Sequence, residues 1–278
     1  MRARIALAGI APALLLCACE AQPEGEPVVR TELGEAVPVD AVEEIVESAP
    51  TDMTAGSACT PAAFEGVTLT HCVADPESHR IATGLAPKSG EKFGTIEGWA
   101  AGRNEGAIAF VMNGGTFGDD LKPIGYFVQD SERLVELNRG DGSGNFFLRP
   151  NGVFFGSEGS WRILDSETFL RTVGDRPQFG MQSGPMLVIG GELHPEIQDD
   201  GPSKAIRAGV GMDAQGRAHF VISQEPLSFG KLARFYRDSL KVADALYLDA
   251  RSPSLWDPAS GRMDGGRVGP LLVVEKKQ

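Results

Sequence analysis

The sequence predicts an α+β fold, in which one domain has a mixed, strand-rich central sheet and a few covering helices. The chain has 35 glycines among 278 residues, a content that favours many turns over long helices. Strand-like apolar runs outnumber helical patterns and do not alternate strictly with them, which argues against a regular α/β fold. Several runs are almost continuously apolar, as is typical of central strands that are covered on both faces.

The predicted strands are short apolar runs bounded by Gly, Pro, Asn or Asp residues. They cover residues 66–73, 107–112, 125–128, 152–155, 186–189, 208–212, 218–223, 245–249 and 271–274. Period two places Asp249 on the same face of its strand as Ala245 and Tyr247, at the end of that strand.

One amphipathic helix is predicted over 231–240. Leu232, Phe235, Tyr236 and Leu240 fall at positions i, i+3, i+4 and i+8, so they share one apolar face. Further helices are expected over 91–101, with Phe93 and Trp99 facing inward, and over 166–171.

The first 18 residues are predicted to be a signal peptide. Arg2 and Arg4 form its basic start, and the apolar run 5–16 is too short to span a bilayer. Leu16-Cys17-Ala18-Cys19 resembles a bacterial lipobox, in which Cys19 becomes the lipidated first residue of the mature protein. An ordinary cleaved signal peptide is the alternative. We therefore expect the protein on the periplasmic side of the envelope, anchored in the membrane by lipid, or secreted or periplasmic if Cys19 is not lipidated.

Residues 19–57 are predicted to be a disordered tether that carries the lipid, followed by one globular domain over 58–278. The tether contains many acidic residues and only one basic residue, Arg30, so its charges repel one another. The whole chain has a formal net charge of -12, which makes nucleic acid a poor partner.

Two cysteines of the predicted domain, Cys59 and Cys72, can pair in an oxidising compartment. The four histidines (His71, His79, His194 and His219) show no metal-ligand spacing, and no CxxC motif is present, so a zinc site is not expected.

Polar residues follow several of the predicted strands, where a rigid scaffold can present them to a ligand. Asn113 ends the run 107–112 and is followed by two glycines. Asn145 lies in a Gly-rich loop that lacks the Lys-Ser/Thr of a P-loop. Gln182 and Ser183 precede the strand 186–189, outside any GxSxG elbow, so they are interpreted as hydrogen-bonding groups.

Three charged residues at strand termini complete the candidate site. Arg207 precedes a Gly-bearing strand and could hold a phosphate through two hydrogen bonds. Glu225 follows the strand 218–223 and Asp249 ends the strand 245–249, and a carboxylate in such a position is a candidate nucleophile or base. For each of these residues, a turn-capping or solvated structural role is the alternative.

Taken in order, these segments resemble the phosphodiester glycosidase family. The match lies in whole phrases: the Asn-Gly-Gly turn at 113–115, Gly-Asn-Phe-Phe-Leu-Arg-Pro-Asn-Gly-Val-Phe at 144–154, Gln-Ser-Gly-Pro-Met-Leu-Val-Ile at 182–189 and Ala-Leu-Tyr-Leu-Asp at 245–249. The resemblance runs from about residue 107 to the C-terminus. It implies an exported hydrolase that cleaves a glycosyl phosphodiester, a sugar–phosphate linkage, in envelope or capsular glycans.

The resemblance suggests a role for each candidate residue. Asp249 would be the nucleophile or base, Glu225 the second carboxylate and Arg207 the phosphate clamp. The remaining members would line the pocket with hydrogen bonds: Asn113, Asn145, Gln182, Ser183 and Ser252. No cofactor is expected.

Two other functions stay open at this point. The family usually has Asp-Gly where this chain has Asp249-Ala250-Arg251, which favours a non-catalytic glycan-binding lipoprotein. Alternatively, Asp249 and Glu225 could hold a divalent cation in a metal-assisted phosphodiesterase.

Overall fold

A computed structural model of the chain describes residues 56–85, 92–248 and 252–278. All of them belong to one compact unit that covers 49–278, and a second unit, 1–48, lies outside the described residues. The predicted signal peptide, Cys19 and nearly all of the predicted tether are therefore not described. No helix in the described ranges is long and apolar enough to cross a membrane.

Strands make up most of the regular structure of the described residues. In chain order they are β1 (Cys59–Phe64), β2 (Val67–Ala74), β3 (His79–Gly84), β4 (Ile108–Asn113), β5 (Phe127–Gln129), β6 (Glu132–Val135), β7 (Gly152–Ser157), β8 (Ser160–Asp165), β9 (Phe179–Ser183), β10 (Met186–Ile189), β11 (Glu192–Leu193), β12 (Ala208–Met212), β13 (Ala218–Ser223), β14 (Asp244–Leu248), β15 (Leu255–Asp257), β16 (Arg262–Met263) and β17 (Leu271–Lys276). Every predicted strand corresponds to one of these. The bounds of 186–189, 208–212 and 218–223 are the same as predicted, and the other strands shift at their ends.

The strands form three sheets. One has seven strands in the order β1-β2-β13-β12-β14-β10-β11, and two have five, in the orders β16-β15-β4-β17-β3 and β6-β5-β9-β7-β8. The prediction of one mixed central sheet is wrong for the described residues, since every strand pair there is antiparallel. Parallel neighbours need long crossovers, whereas tight turns such as Glu65-Gly66, with φ of 45° and 78°, produce hairpins.

The helices are few and short: α1 (Ile96–Ala100), α2 (Ser166–Thr172) and α3 (Phe229–Arg234). The last continues as a π-helical turn, Phe235–Ser239. Leu232, Phe235 and Tyr236 are buried, which confirms the predicted apolar face. Ser228 caps α3 by accepting a hydrogen bond from the backbone N–H of Lys231, which leads the chain into the helix. The predicted short helix over 166–171 is confirmed as α2.

The core lies where the three sheets meet. Phe110 of β4, Phe154 of β7 and Phe220 of β13 each belong to a different sheet and are fully buried. The ring of Phe220 lies 5.1 Å from that of Phe110 and 5.9 Å from that of Phe154, in edge-to-face arrangements. These contacts join the three sheets through one aromatic cluster.

The predicted disulfide is confirmed, because Cys59 and Cys72 are bonded to each other. They are direct partners in the register of β1 and β2, so the bond crosses the edge hairpin of the seven-stranded sheet. In the chain-entropy model a loop of this size contributes about 3 kcal/mol of stability.

Candidate active site at the strand ends

Three predicted site segments lie at the same end of the seven-stranded sheet. Ala208, at the start of β12, pairs with Ile222 of β13 and with Leu248 of β14. Because both pairings are antiparallel, the start of β12 meets the last residues of β13 and β14. Arg207, Glu225 and the chain that continues into Asp249 therefore extend from one edge, which we call the strand-end site.

Arg207 is the most constrained side chain of the strand-end site, with only 2% of its surface exposed. Its Nε donates to the carbonyl oxygen of Leu227 at 2.9 Å, and its Nη2 donates to the carbonyl oxygen and the hydroxyl of Ser203 at 3.0 and 3.1 Å. Its guanidinium carbon lies 3.6 Å from the centre of the Phe229 ring and 5.6 Å from that of Tyr247. The result is a fixed, largely desolvated positive charge.

Strand periodicity explains which face of the sheet carries this charge. On β12, glycines alternate with buried apolar residues, and a Cβ added to Gly211 would lie 2.8 Å from Cδ1 of Tyr236. Gly211 thus leaves room for the helical segment that covers this face, and Arg207 lies on the same face because it is four residues away. Tyr247 of β14 also faces this segment.

Asp249 lies outside the described residues, as do Ala250 and Arg251. Leu248 is the last described residue of β14 before it. The position and role of Asp249 therefore stay predictions from the sequence.

Glu225 is exposed, two residues beyond the end of β13. Its carboxylate accepts a hydrogen bond of 3.2 Å from the backbone N–H of Thr68 in the neighbouring strand β2. Ser223, two residues before Glu225, accepts a hydrogen bond of 2.9 Å at its hydroxyl from the backbone N–H of Arg207. Glu225 is therefore an accessible carboxylate at the same end of the sheet as Arg207.

Asn113 holds the chain that follows the undescribed segment 249–251. Its Nδ2 donates to the carbonyl oxygen of Ser252 at 3.0 Å, and its Oδ1 accepts from the backbone N–H of Ser254 at 2.7 Å. The side chain is 1% exposed, so it acts here as a buried clamp on this loop. Ser252 follows Leu248 by four residues, so a chain length of at most about 14 Å separates Ser252 from the end of β14. The backbone that Asn113 binds is therefore close to the end of that strand.

Gln182 is also buried and fully engaged within the protein. Its Oε1 accepts from the backbone N–H groups of Tyr126 and Asn138 at 3.0 and 2.9 Å. Its Nε2 donates to the carbonyl oxygen of Asn138 at 2.9 Å and to the hydroxyl of Ser166 at 3.1 Å. One side chain thus connects β9 with a long loop and with the start of α2.

The other two predicted pocket residues differ in exposure. Ser183, at the end of β9, is fully buried and pairs with Gly152 of β7. The chain then crosses into the seven-stranded sheet, where the carbonyl oxygen of Pro185 accepts from the backbone N–H of Tyr247 at 3.0 Å. Asn145 is exposed on its loop. For Asn113, Asn145, Gln182, Ser183 and Ser252, direct contact with a substrate stays a prediction.

Sequence reasoning missed several members of this network. Asn138, Asn151 and Ser166 surround Gln182, and the Ser166 hydroxyl donates to Asn151 Oδ1 at 2.6 Å. Asn151 precedes a glycine, a signal that indicated only a turn. Nothing in the local sequence of Asn138 indicates a buried partner. Among the described residues, no group of three or more His, Cys, Asp or Glu side chains could hold a metal ion.

A second polar cluster lies toward the opposite end of the seven-stranded sheet. His71 Nε2 and His219 Nδ1 are 2.9 Å apart, and His219 Nε2 lies 3.0 Å from Asp213 Oδ2. Arg217 Nε donates to the same carboxylate oxygen at 2.6 Å. Burial, together with the smaller effects of the neighbouring His219 and Arg217, lowers the pKa of His71 from 6.5 to about 4.

This cluster makes stability depend on pH. Between pH 6.5 and about 4 the unfolded chain binds a proton at His71 that the folded protein does not. Protonation therefore favours the unfolded chain. The free energy of unfolding has its full value above pH 6.5 and decreases as the pH falls toward 4. Allowing for the partial exposure of the ring, we expect a loss of about 2 kcal/mol. Urea unfolding of the parent and of His71→Gln at pH 7.5 and 4.5 measures this, and an equal pH dependence in both proteins would contradict it.

The comparisons with known proteins concern the family and the fold of the chain. The model of the family described as phosphodiester glycosidase matches residues 106–256. The chain is 33% identical over 211 residues to YigE, an uncharacterised protein of Escherichia coli (strain K12), with 73% of this chain and 80% of that protein covered.

A solved structure has a similar fold. It is the catalytic domain of zebrafish N-acetylglucosamine-1-phosphodiester alpha-N-acetylglucosaminidase, auto-inhibited by its pro-peptide. The TM-score is 0.55 at 15% identity, over 79% of this chain and 82% of that one. Because the family model matches residues 106–256, more than half of the chain, the chain belongs to the phosphodiester glycosidase family.

Proposed function

We propose that this protein is an exported hydrolase that cleaves the sugar–phosphate linkage of a glycosyl phosphodiester in envelope or capsular glycans. The observation that carries the proposal is the shared sheet edge from which Arg207, Glu225 and the chain leading into Asp249 extend. Family membership supports the same chemistry. The signal-like residues 1–19 support export and a lipid anchor on the periplasmic side.

The proposed reaction needs a carboxylate at the anomeric carbon and little acid catalysis. The released phosphate monoester has a second pKa near 6, so it leaves readily without a strong general acid. Asp249 either attacks the anomeric carbon while the bond to the phosphate oxygen breaks, or takes a proton from the water that attacks. Glu225, which is accessible at the same edge, positions water or the sugar hydroxyls.

The contacts of Arg207 refine its proposed role. Its guanidinium is held by the carbonyl oxygens of Leu227 and Ser203, so it provides positive charge at a fixed place with little freedom to move. A fixed charge in a low-dielectric setting favours the ionised form of a neighbouring carboxylate and stabilises negative charge that develops on phosphate. We therefore assign Arg207 both to the phosphate and to the charge state of the nucleophile.

The buried side-chain amides of Asn113 and Gln182 hold backbone segments of the protein in place. Asn113 fixes the chain at Ser252 and Ser254, which follow Asp249 in the sequence, and Gln182 fixes the backbone of Tyr126 and Asn138. Such supporting bonds hold reacting groups in a productive geometry before the substrate arrives.

Turnover of defined diesters tests the function. Because the zebrafish enzyme is named for an N-acetylglucosamine-1-phosphodiester, the first probe is the methyl diester of N-acetylglucosamine 1-phosphate, followed by the corresponding glucose and mannose diesters. We expect release of free sugar and methyl phosphate, observed by ³¹P NMR, with a rate that a chelator does not change. Binding without release would favour a glycan-binding lipoprotein, and loss of the activity with chelator would favour a metal-assisted phosphodiesterase.

A further inference from the structure

A pocket of about 180 Å³, open to solvent on one side, lies beside the strand-end site. Its walls come from three parts of the chain: Leu148 near the Gly-rich loop, the loop that contains Ile197 and Pro202, and Phe229 at the start of α3. None of the site residues predicted from the sequence lines this pocket.

The walls of this cavity are held in place by contacts outside it. His194 Nε2 donates to the carbonyl oxygen of Arg149 at 3.0 Å, which connects the loop 194–203 to the residue after Leu148. Gly230 allows the same loop to pack against α3, since a Cβ there would lie 2.0 Å from the carbonyl oxygen of Asp199. Arg234 forms an ion pair with Asp199. The cavity is therefore preformed rather than dependent on a ligand for its shape.

The chemistry of the walls selects a neutral, apolar occupant. Leu148, Ile197, Pro202 and Phe229 provide hydrocarbon surface, and no described lining residue is a lysine or arginine. The acidic Glu196 is also part of the lining, so a phosphate inside the cavity would meet negative charge. A hydrocarbon group gains free energy by leaving water for such a site.

The cavity is next to the buried cation. Ser203, which lines it, accepts hydrogen bonds from Nη2 of Arg207. Phe229, another lining residue, lies 3.6 Å from the guanidinium carbon of Arg207 and 4.8 Å, ring to ring, from Tyr247 of β14. The Arg207 and Phe229 side chains thus lie between the cavity and the end of β14.

We propose that this cavity is a subsite for the hydrocarbon part of the alcohol esterified to the substrate phosphate. This rests on the proposed function, in which the sugar lies by the end of β14 and the phosphate by Arg207, so that the next group along the substrate is the aglycone. A volume of 180 Å³ equals that of roughly six water molecules, enough for an alkyl or prenyl segment of about six carbons.

Binding measurements test the subsite without requiring turnover. The probes are the methyl and hexyl diesters of N-acetylglucosamine 1-phosphate, titrated calorimetrically into Asp249→Asn protein so that they stay intact. We expect the hexyl diester to bind at least about tenfold more tightly. In Leu148→Asp, which adds a charge to the wall, and in Gln198→Trp, which fills the cavity from its exposed side, the ratio should fall to about one. Gln215→Trp, in a distant exposed turn, should keep the parental ratio.

Three outcomes would overturn the subsite. These are equal affinities for the two diesters, no measurable binding of the hexyl diester, and a hexyl preference that survives in both cavity variants. A methyl diester whose sugar carries an N-hexanoyl group separates the two sources of hydrocarbon. If that probe gains the affinity instead, the cavity takes a sugar substituent and the aglycone assignment is wrong. Absence of hydrolysis in the parent protein would count against the proposed function alone, because affinity is measured separately.

Discussion

Asp249→Asn is expected to lower the turnover of a glycosyl phosphodiester by about a thousandfold or more. The amide keeps the size of the side chain but can neither attack the anomeric carbon nor take a proton from water. Since the change affects the reacting group itself, we expect it in kcat, with little change in the melting temperature. The measurement is the steady-state rate of phosphate monoester release, together with thermal unfolding of both proteins.

Asp244→Asn is the matched control, because Asp244 begins the same strand at its other end. Its carboxylate accepts a hydrogen bond of 3.1 Å from the backbone N–H of Gly190, and burial raises its pKa. This variant should keep the parental kcat. If Asp249→Asn hydrolyses the diester at the parental rate, Asp249 is not the nucleophile or base.

Arg207→Ala is expected to destabilise the domain by about 3 kcal/mol or more. The variant loses the stacking on Phe229 and the donor to the carbonyl oxygen of Ser203. It also removes one of the two donors to the carbonyl oxygen of Leu227, which keeps the backbone N–H of Ala205. Protein that remains folded should show a raised KM for phosphodiesters, because the fixed charge is gone. Urea unfolding and substrate titration measure the two effects separately.

Two control variants separate the loss of the Arg207 charge from the loss of its packing and hydrogen bonds. Arg237→Ala removes an arginine whose ion pair with Asp238 is on the surface, so it should cost less than about 1 kcal/mol. Arg207→Lys keeps the charge but lacks the planar fork, so it should restore part of the substrate affinity and less of the stability. An unchanged KM in Arg207→Ala would exclude its role toward the phosphate.

Much of the fold could be predicted from the sequence because local patterns determine it. The continuous apolar run that became β4 and the helical spacing of Leu232, Phe235 and Tyr236 depend only on neighbouring residues. The partition into three antiparallel sheets could not be predicted in this way. It depends on which distant strands pair, and strand patterns alone do not specify partners.

The candidate site shows the same division. Its segments were predicted because a polar residue at the end of an apolar strand is visible in the sequence. What the side chains do was less visible: Gln182 binds backbone groups of Tyr126 and Asn138, and Asn113 clamps the backbone of Ser252 and Ser254. Polar side chains that bind a ligand and those that bind distant backbone have the same local sequence, so only the tertiary structure separates them.

The meeting of Phe110, Phe154 and Phe220 has a consequence for folding. Each ring comes from a different sheet, and the Phe220 ring packs against the other two in one shared core. No sheet alone can bury its inner face, so the assembly should form in a single cooperative event dominated by contacts between remote parts of the chain. A fragment that retained the segments resembling the family but lacked one sheet would therefore lack the framework that positions them.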